Sequence, residues 1–220
     1  LPSRTLDRHT MRFLSDRHVL TRAAVIAQIA AALSVASVAQ AQRSTTRGLS
    51  LGVVAQAISL EVENGEPSSG GGLGLRAGYG FNRIITGFIH LDGGEIDVPA
   101  GASLSGTWSL GHAELGARFH FANSLRRVVP YLETSLGARV VTVKDAESNG
   151  TGAGEVKFNG GALTVGGGVS TYLKPALALD VGVKFTGGTF TEVDLGTVAL
   201  RSLDVEASSF RFGVGLTWWP

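Results

Sequence analysis

Apolar and polar positions alternate with a period of two along much of the chain, the mark of strands with two unlike faces. In Ser209 to Pro220, Phe210, Phe212, Val214, Leu216 and Trp218 share one parity, while Arg211, Gly213, Gly215 and Thr217 share the other. The same division sets Leu73, Leu75, Ala77, Tyr79 and Phe81 against Gly74, Arg76, Gly78 and Gly80, and Ala113, Leu115, Ala117, Phe119 and Phe121 against His112, Glu114, Gly116, Arg118 and His120. It recurs with Leu132, Thr134, Leu136, Ala138 and Val140 against Glu133, Ser135, Gly137 and Arg139, and with Leu177, Leu179, Val181, Val183 and Phe185 against Asp180, Gly182 and Lys184. Three further strands are expected at Leu49 to Leu60, where the pattern allows a register slip near Ala55 to Ala57, at Ile84 to Asp92, whose facing stays open, and at Val156 to Leu173. Eight strands result.

The connections are expected to alternate in length. Short links fall at Asn82-Arg83, Ala122 to Arg127 and Lys174-Pro175, and long Gly/Ser/acid-rich links at Glu61 to Gly71, Gly93 to Thr107, Lys144 to Glu155 and Gly187 to Asp204. Short turns on one side and long loops on the other suit an all-β, eight-stranded antiparallel up-and-down transmembrane barrel, with turns in the periplasm and loops outside. A soluble barrel would carry a densely charged outer face. Here the polar parity is mostly Gly, Ser and Thr, which suits a narrow interior, and glycines 74, 78, 80, 116, 137, 166, 168, 182, 213 and 215 leave room for side chains crossing it. The apolar parity carries aromatics at its ends, with Tyr79, Phe81, Phe119, Phe121 and Trp218 toward the turns and Phe185 and Phe210 toward the loops, as two aromatic belts require.

Ahead of the strands, Met11 is followed by Arg12, Arg17 and Arg22, a largely apolar run from Ala23 to Val38, and Ala39-Gln40-Ala41. A basic segment, an apolar segment and a small-x-small site make a cleavable signal peptide. The run is too short and alanine-rich for a membrane anchor. Residues 1–41, including an extension before Met11, are therefore set apart, and residues 42–220 form one barrel domain. The 31 glycines are spread through the strands, which excludes a low-complexity linker. A formal charge of +1 gives no argument for nucleic acid as a partner, and the lack of cysteine excludes disulfides and thiolate chemistry.

LGLRAGYGFN (Leu73 to Asn82), ELGARFHF (Glu114 to Phe121), PYLETSLGAR (Pro130 to Arg139) and the closing GVGLTWWP resemble the small outer-membrane β-barrel proteins of the OmpA transmembrane-domain and OmpX type. That resemblance implies a monomeric barrel in the cell outer membrane, in contact with its lipid and delivered to the barrel-insertion machinery through the C-terminal strand. Pro220 after Trp219 departs from the aromatic ending usual there, and no peptidoglycan-binding domain is expected after the barrel.

Arg76, Arg118, Arg139, Lys184 and Arg211 stand with Glu114, Glu133 and Asp180 on the inward parity, and buried ions need partners, so a paired lumen network is expected. Counting across the hairpin sets Arg118 opposite Glu133. The same groups could instead line a narrow ion path. For an enzyme, His90, Asp92, His112 and Glu114 with Ser105 and Ser109 are the candidates for acyl transfer, but no G-x-S-x-G or H-E-x-x-H accompanies them. Asp92, Glu95 and Asp97 lack the ligand spacing of a calcium loop. The reading that results is a non-enzymatic barrel with a filled polar lumen, without cofactor or metal, supporting the envelope or presenting loops to a ligand the sequence does not name. Its alternatives are a narrow pore and a lipid-modifying enzyme.

Overall fold

The computed structural model describes residues 46–63, 65–99, 105–121, 127–148, 151–194 and 199–220. The leader expected over residues 1–41 and the turn through Asn123 to Arg126 lie outside them. Eight strands, β1 (Gly48–Val62), β2 (Ser68–Gly80), β3 (Ile85–Ile96), β4 (Ser105–His120), β5 (Val128–Ser148), β6 (Thr151–Lys174), β7 (Leu177–Asp194) and β8 (Ala199–Trp218), follow one another antiparallel, and β8 closes on β1. Closure gives every strand a paired neighbour on both sides.

The period-two pattern fixes which side chains enter. Leu73, Leu75, Tyr79, Leu115, Leu132, Leu136, Phe185, Leu216 and Trp218 are exposed on the outside. Arg118, Glu133, Arg139 and Arg211 are buried on the inside. In β3, the facing that the sequence leaves open resolves with Thr86, Phe88, His90 and Asp92 inward. No register slip occurs in either ladder of β1. Its alternation fades after Ala57 because Ile58 and Leu60 also point inward, to an apolar interior.

Three of the four long links are mostly strand, while Gly93 to Thr107 keeps a connection over residues 97–104, which corrects the expected alternation of loop lengths. β2 begins at Ser68, β5 reaches Ser148, β6 starts again at Thr151, and β7 and β8 are separated by residues 195–198 alone. Ser68 to Gly74 forms a ladder despite its glycines because the β2 and β3 backbones approach closely: a Cβ on Gly72 would lie 2.1 Å from the Gly93 carbonyl oxygen. A bulge opposite Ser105 and Thr107 ends the regular β4–β5 ladder, with Gly106 at φ 134° and Asp145 at φ 51°. A Cβ on Gly106 would stand 2.4 Å from the Lys144 carbonyl oxygen, so glycine is needed there.

The strands differ in height. At ~3.3 Å per residue and ~40° of tilt, the 12 residues of β3 rise about 30 Å and the 24 residues of β6 about 60 Å. An apolar barrel band is ~25 Å tall, so β5 to β8 form a wall standing above it. On that wall the exposed side chains become Lys144, Asp145, Glu147, Glu155, Asp204 and Glu206.

Candidate functional site

The interior is layered. On the loop side Ile58, Leu60, Ile96, Leu110, Val141, Phe190 and Ala207 form a buried apolar cluster, flanked by Val62, Trp108, Phe158 and Val205. On the turn side Val129, Tyr172, Ala178 and Trp219 form a smaller one. Charged groups fill the space between.

Glu133 is the hub of the turn-side part of that space. Arg76 donates to it through both terminal nitrogens at 3.0 Å, Arg118 Nε donates at 2.9 Å, and Lys184 Nζ lies 3.6 Å away. Arg118 and Glu133 are direct partners in the β4–β5 ladder, in the register that counting across the hairpin gives. Arg118 also stacks 3.7 Å from the centre of the Tyr131 ring and reaches Asp180 at 3.6 Å. Asp180 accepts from Ser170 and Thr217. Bidentate and charge-assisted bonds of this kind hold their groups in fixed positions.

Arg211 is the hub of the loop-side part. Its two terminal nitrogens donate to Asp92 and Glu114, and one of them also to Thr186 at 2.6 Å. Glu114 accepts from Thr164 at 2.8 Å and from Lys184 at 2.9 Å. Lys184 Nζ lies 2.6 Å from His90 Nδ1. Glu114 Oε2 lies 3.4 Å and Asp92 Oδ2 3.6 Å from the same nitrogen, so His90 Nδ1 sits between the ammonium and two carboxylates.

Arg139 does not join a carboxylate among the described residues, although it faces inward with the others and is 1% exposed. It gives one hydrogen bond to the Ala207 carbonyl oxygen at 3.1 Å and lies 4.5 Å from the centre of the Phe190 ring. Its Nε and Nη1 have no partner. All seven aromatic-belt residues lie on the outside; Tyr79 and Phe81 meet edge to face at 5.6 Å, and Phe185 and Phe210 are ladder partners.

His90, Asp92, His112 and Glu114 do converge, but Ser105 and Ser109 do not join them and donate instead to the carbonyl oxygens of Glu147 and Thr142. The serine that arrives is Ser209 of β8, 3.5 Å from His112 Nε2, while His112 Nδ1 donates to Asp92 at 2.9 Å. The order is that of a nucleophile, a base and an orienting carboxylate. Ser209, His112 and Asp92 are nevertheless 2%, 4% and 8% exposed, and Arg211 occupies the same carboxylate, so the hydroxyl is buried in this arrangement. Glu95 and Asp97 are exposed and apart from buried Asp92. His90, Asp92 and Glu114 hold ligand atoms within 4.8 Å of one another, yet those atoms face Arg211 and Lys184, whose charge opposes a metal cation. Sequence reasoning missed Ser209, Asp92 as a network member and the apolar clusters. Parity with Arg211 marks Ser209 as inward, whereas Asp92 lies on β3, whose facing the sequence leaves open.

The model of the outer membrane protein β-barrel domain matches residues 28–217. The fold is similar to that of Neisserial surface protein A, with a TM-score of 0.57 at 18% identity over 78% of this chain and 96% of that one. It is also similar to the outer membrane protein OprG from Pseudomonas aeruginosa (0.51, 13%, 81% and 100%) and to Ail, the attachment invasion locus protein of Yersinia pestis (0.50, 14%, 78% and 99%). No curated protein matches the sequence.

Proposed function

The chain belongs to the outer membrane protein β-barrel domain family and is a protein of the cell outer membrane, and on that premise we propose that it is a closed, non-enzymatic barrel that presents its raised wall at the cell surface for binding. The observation that carries this reading is the contrast along β5 to β8, which pass from exposed Leu132, Leu136, Phe185 and Phe210 to exposed Lys144, Glu147, Glu155 and Glu206. An apolar outer face belongs in lipid and a charged one in water. The wall therefore stands outside the bilayer, and the turns with Arg83 and Lys174 stand in the periplasm.

The ladder closes on itself, so no second copy is needed to complete the sheet, which supports reading the barrel as a monomer. Outer-membrane lipid surrounds the aromatic belts, and the β8 strand with Trp218 is the segment offered to the insertion machinery. The packing of Ile58, Leu60, Ile96, Leu110, Val141, Phe190 and Ala207 on the loop side of the interior supports a closed state, since it sets apolar surface across the path of an ion. A cleavable tag between Ser148 and Ala153 should be cut by external protease in intact cells, and one between Ala122 and Arg127 should not. Planar bilayers should show no unitary conductance. Steady channel currents would favour the narrow-pore reading, and altered lipid A in cells carrying the protein would favour the enzyme.

A further inference from the structure

Outside the lumen, charge is sorted by the end of the barrel. Among the described residues, the loop-side end exposes Glu63, Glu95, Asp145, Glu147, Asp204 and Glu206 against Lys144 and Lys157. The turn-side end carries Arg47, Arg83, Arg127 and Lys174 and no Asp or Glu. Residues 42–45 and 122–126, outside the described residues, contain Arg43 and Arg126 and again no Asp or Glu. None of the four turn-side cations has an ion-pair partner among the described residues. The cations of the lumen are spent on lumen carboxylates, but those of the turn-side rim are not.

Local bonding gathers these cations in two pairs. Asn82 Oδ1 accepts from the Ile84 and Ile85 nitrogens at 2.7 and 2.8 Å and so shapes the β2–β3 turn, on which Arg83 is exposed. Thr46 Oγ1 donates to the Arg83 carbonyl oxygen at 3.2 Å, which brings the exposed Arg47 beside the same turn. Arg127 Nε donates to the Tyr172 carbonyl oxygen at 3.0 Å, two residues before the exposed Lys174. Arg47 leads into β1 and Arg127 into β5, half-way round the ring, so the two pairs stand on opposite sides of the barrel. Both adjoin the aromatic belt. Exposed Phe81 precedes Arg83 by two residues, the exposed Phe121 bonds through its nitrogen to the Pro130 carbonyl oxygen three residues after Arg127, and Lys174, Leu177 and Trp218 are successive ladder partners. Belt aromatics sit at the level of the lipid headgroups, so these cations stand at the height of the headgroup phosphates.

We propose that the turn-side rim binds the phosphodiester headgroups of anionic glycerophospholipids, through Arg47 and Arg83 on one side of the barrel and Arg127 and Lys174 on the other. A guanidinium meets a phosphate with two parallel donors, and cations beside a membrane attract lipids of net negative charge. A zwitterionic headgroup brings its own ammonium and is held less well. The acidic loop-side end repels the same headgroups. The leaflet concerned is the periplasmic one, which rests on the orientation proposed above, whereas the preference for an anionic headgroup does not.

Electron paramagnetic resonance of chain-labelled phosphatidylglycerol and phosphatidylcholine, each added to the barrel folded in phosphatidylcholine vesicles, tests this. Both leaflets there have one composition, so the result does not depend on which way the barrel sits; the protease-accessible tags decide that separately. The parent protein should hold phosphatidylglycerol in its motionally restricted shell roughly two- to fivefold more strongly than phosphatidylcholine, the range one exposed ion pair supplies. The triple variant Arg47→Gln, Arg83→Gln, Lys174→Gln keeps Arg127 on the Tyr172 carbonyl and removes no ion pair among the described residues, so it should fold, as shown by heat-modifiable migration, and lose most of that preference. Lys144→Gln at the loop-side end should keep it. In the parent alone, the preference should fall at about 1 M sodium chloride, where the screening length is about 3 Å. Equal retention of the two lipids, a preference unmoved by salt, one that survives in the folded triple variant, or an equal loss in Lys144→Gln would each overturn the proposal.

Discussion

The charged middle of the lumen and the apolar cluster on its loop side occupy the same barrel and the same strands, yet they are held by different physics. In the middle, the carboxylates are fixed by named partners, as Glu133 is by Arg76 and Arg118. In the cluster, Leu60, Leu110 and Val141 are held only by packing. Ion pairs tolerate no loss of one partner, because the other then stays buried and uncompensated. Apolar packing instead loses contact area and leaves a cavity in proportion to what is removed.

Arg211→Met should have the largest effect. It leaves Asp92 with only the histidines His112 and His90 and takes one of two cations from Glu114. A cost of about 3–5 kcal/mol is expected from the stranded carboxylates, measured as a fall in the urea midpoint in lipid vesicles. A cost below about 1 kcal/mol would place this network among weak surface pairs and erase the difference between the two regions.

Leu110→Ala should come next, at about 3 kcal/mol, from the transfer loss and the cavity it opens in the cluster. Leu115→Ala on the same strand is the matched control. Leu115 is 60% exposed on the outside, where lipid tails fill the gap, so its cost should be clearly smaller. Equal costs would mean that the loop-side interior is not a packed core.

The same contrast explains what the sequence could tell. Where the interior is polar, inward and outward residues differ in kind, so parity alone oriented Arg76, Glu114, Glu133 and Lys184 and set Arg118 against Glu133. Where the interior is apolar, Ile58, Leu60, Val141 and Val143 face inward beside apolar or small outward neighbours, and the alternation that marks a strand is lost. The long strand ends therefore read as loops in the sequence, the more so for the glycines of Ser68 to Gly74. Which lumen ions pair is set by side chains crossing from the far wall, as Arg211 does to Asp92, and no local spacing records that.

Arg139→Met should have the smallest effect, and its sign is informative. Arg139 shares the inward face and the burial of Arg118, so composition alone makes the two equivalent. Arg118 has Glu133 and Asp180; Arg139 has only the Ala207 carbonyl oxygen and the face of Phe190 among the described residues. Burying a guanidinium without an anion costs free energy that one carbonyl bond and one ring contact, each worth about 1 kcal/mol or a little more, only partly offset. Methionine keeps an unbranched stem and a soft sulfur to lie against the Phe190 ring. Arg139→Met should therefore leave the urea midpoint within about 1 kcal/mol of the parent or raise it, while Arg118→Met lowers it by about 3–5 kcal/mol. If the two variants lose stability equally, Arg139 is held by a buried carboxylate, and the boundary between the charged middle and the apolar cluster lies further toward the loops than Arg139.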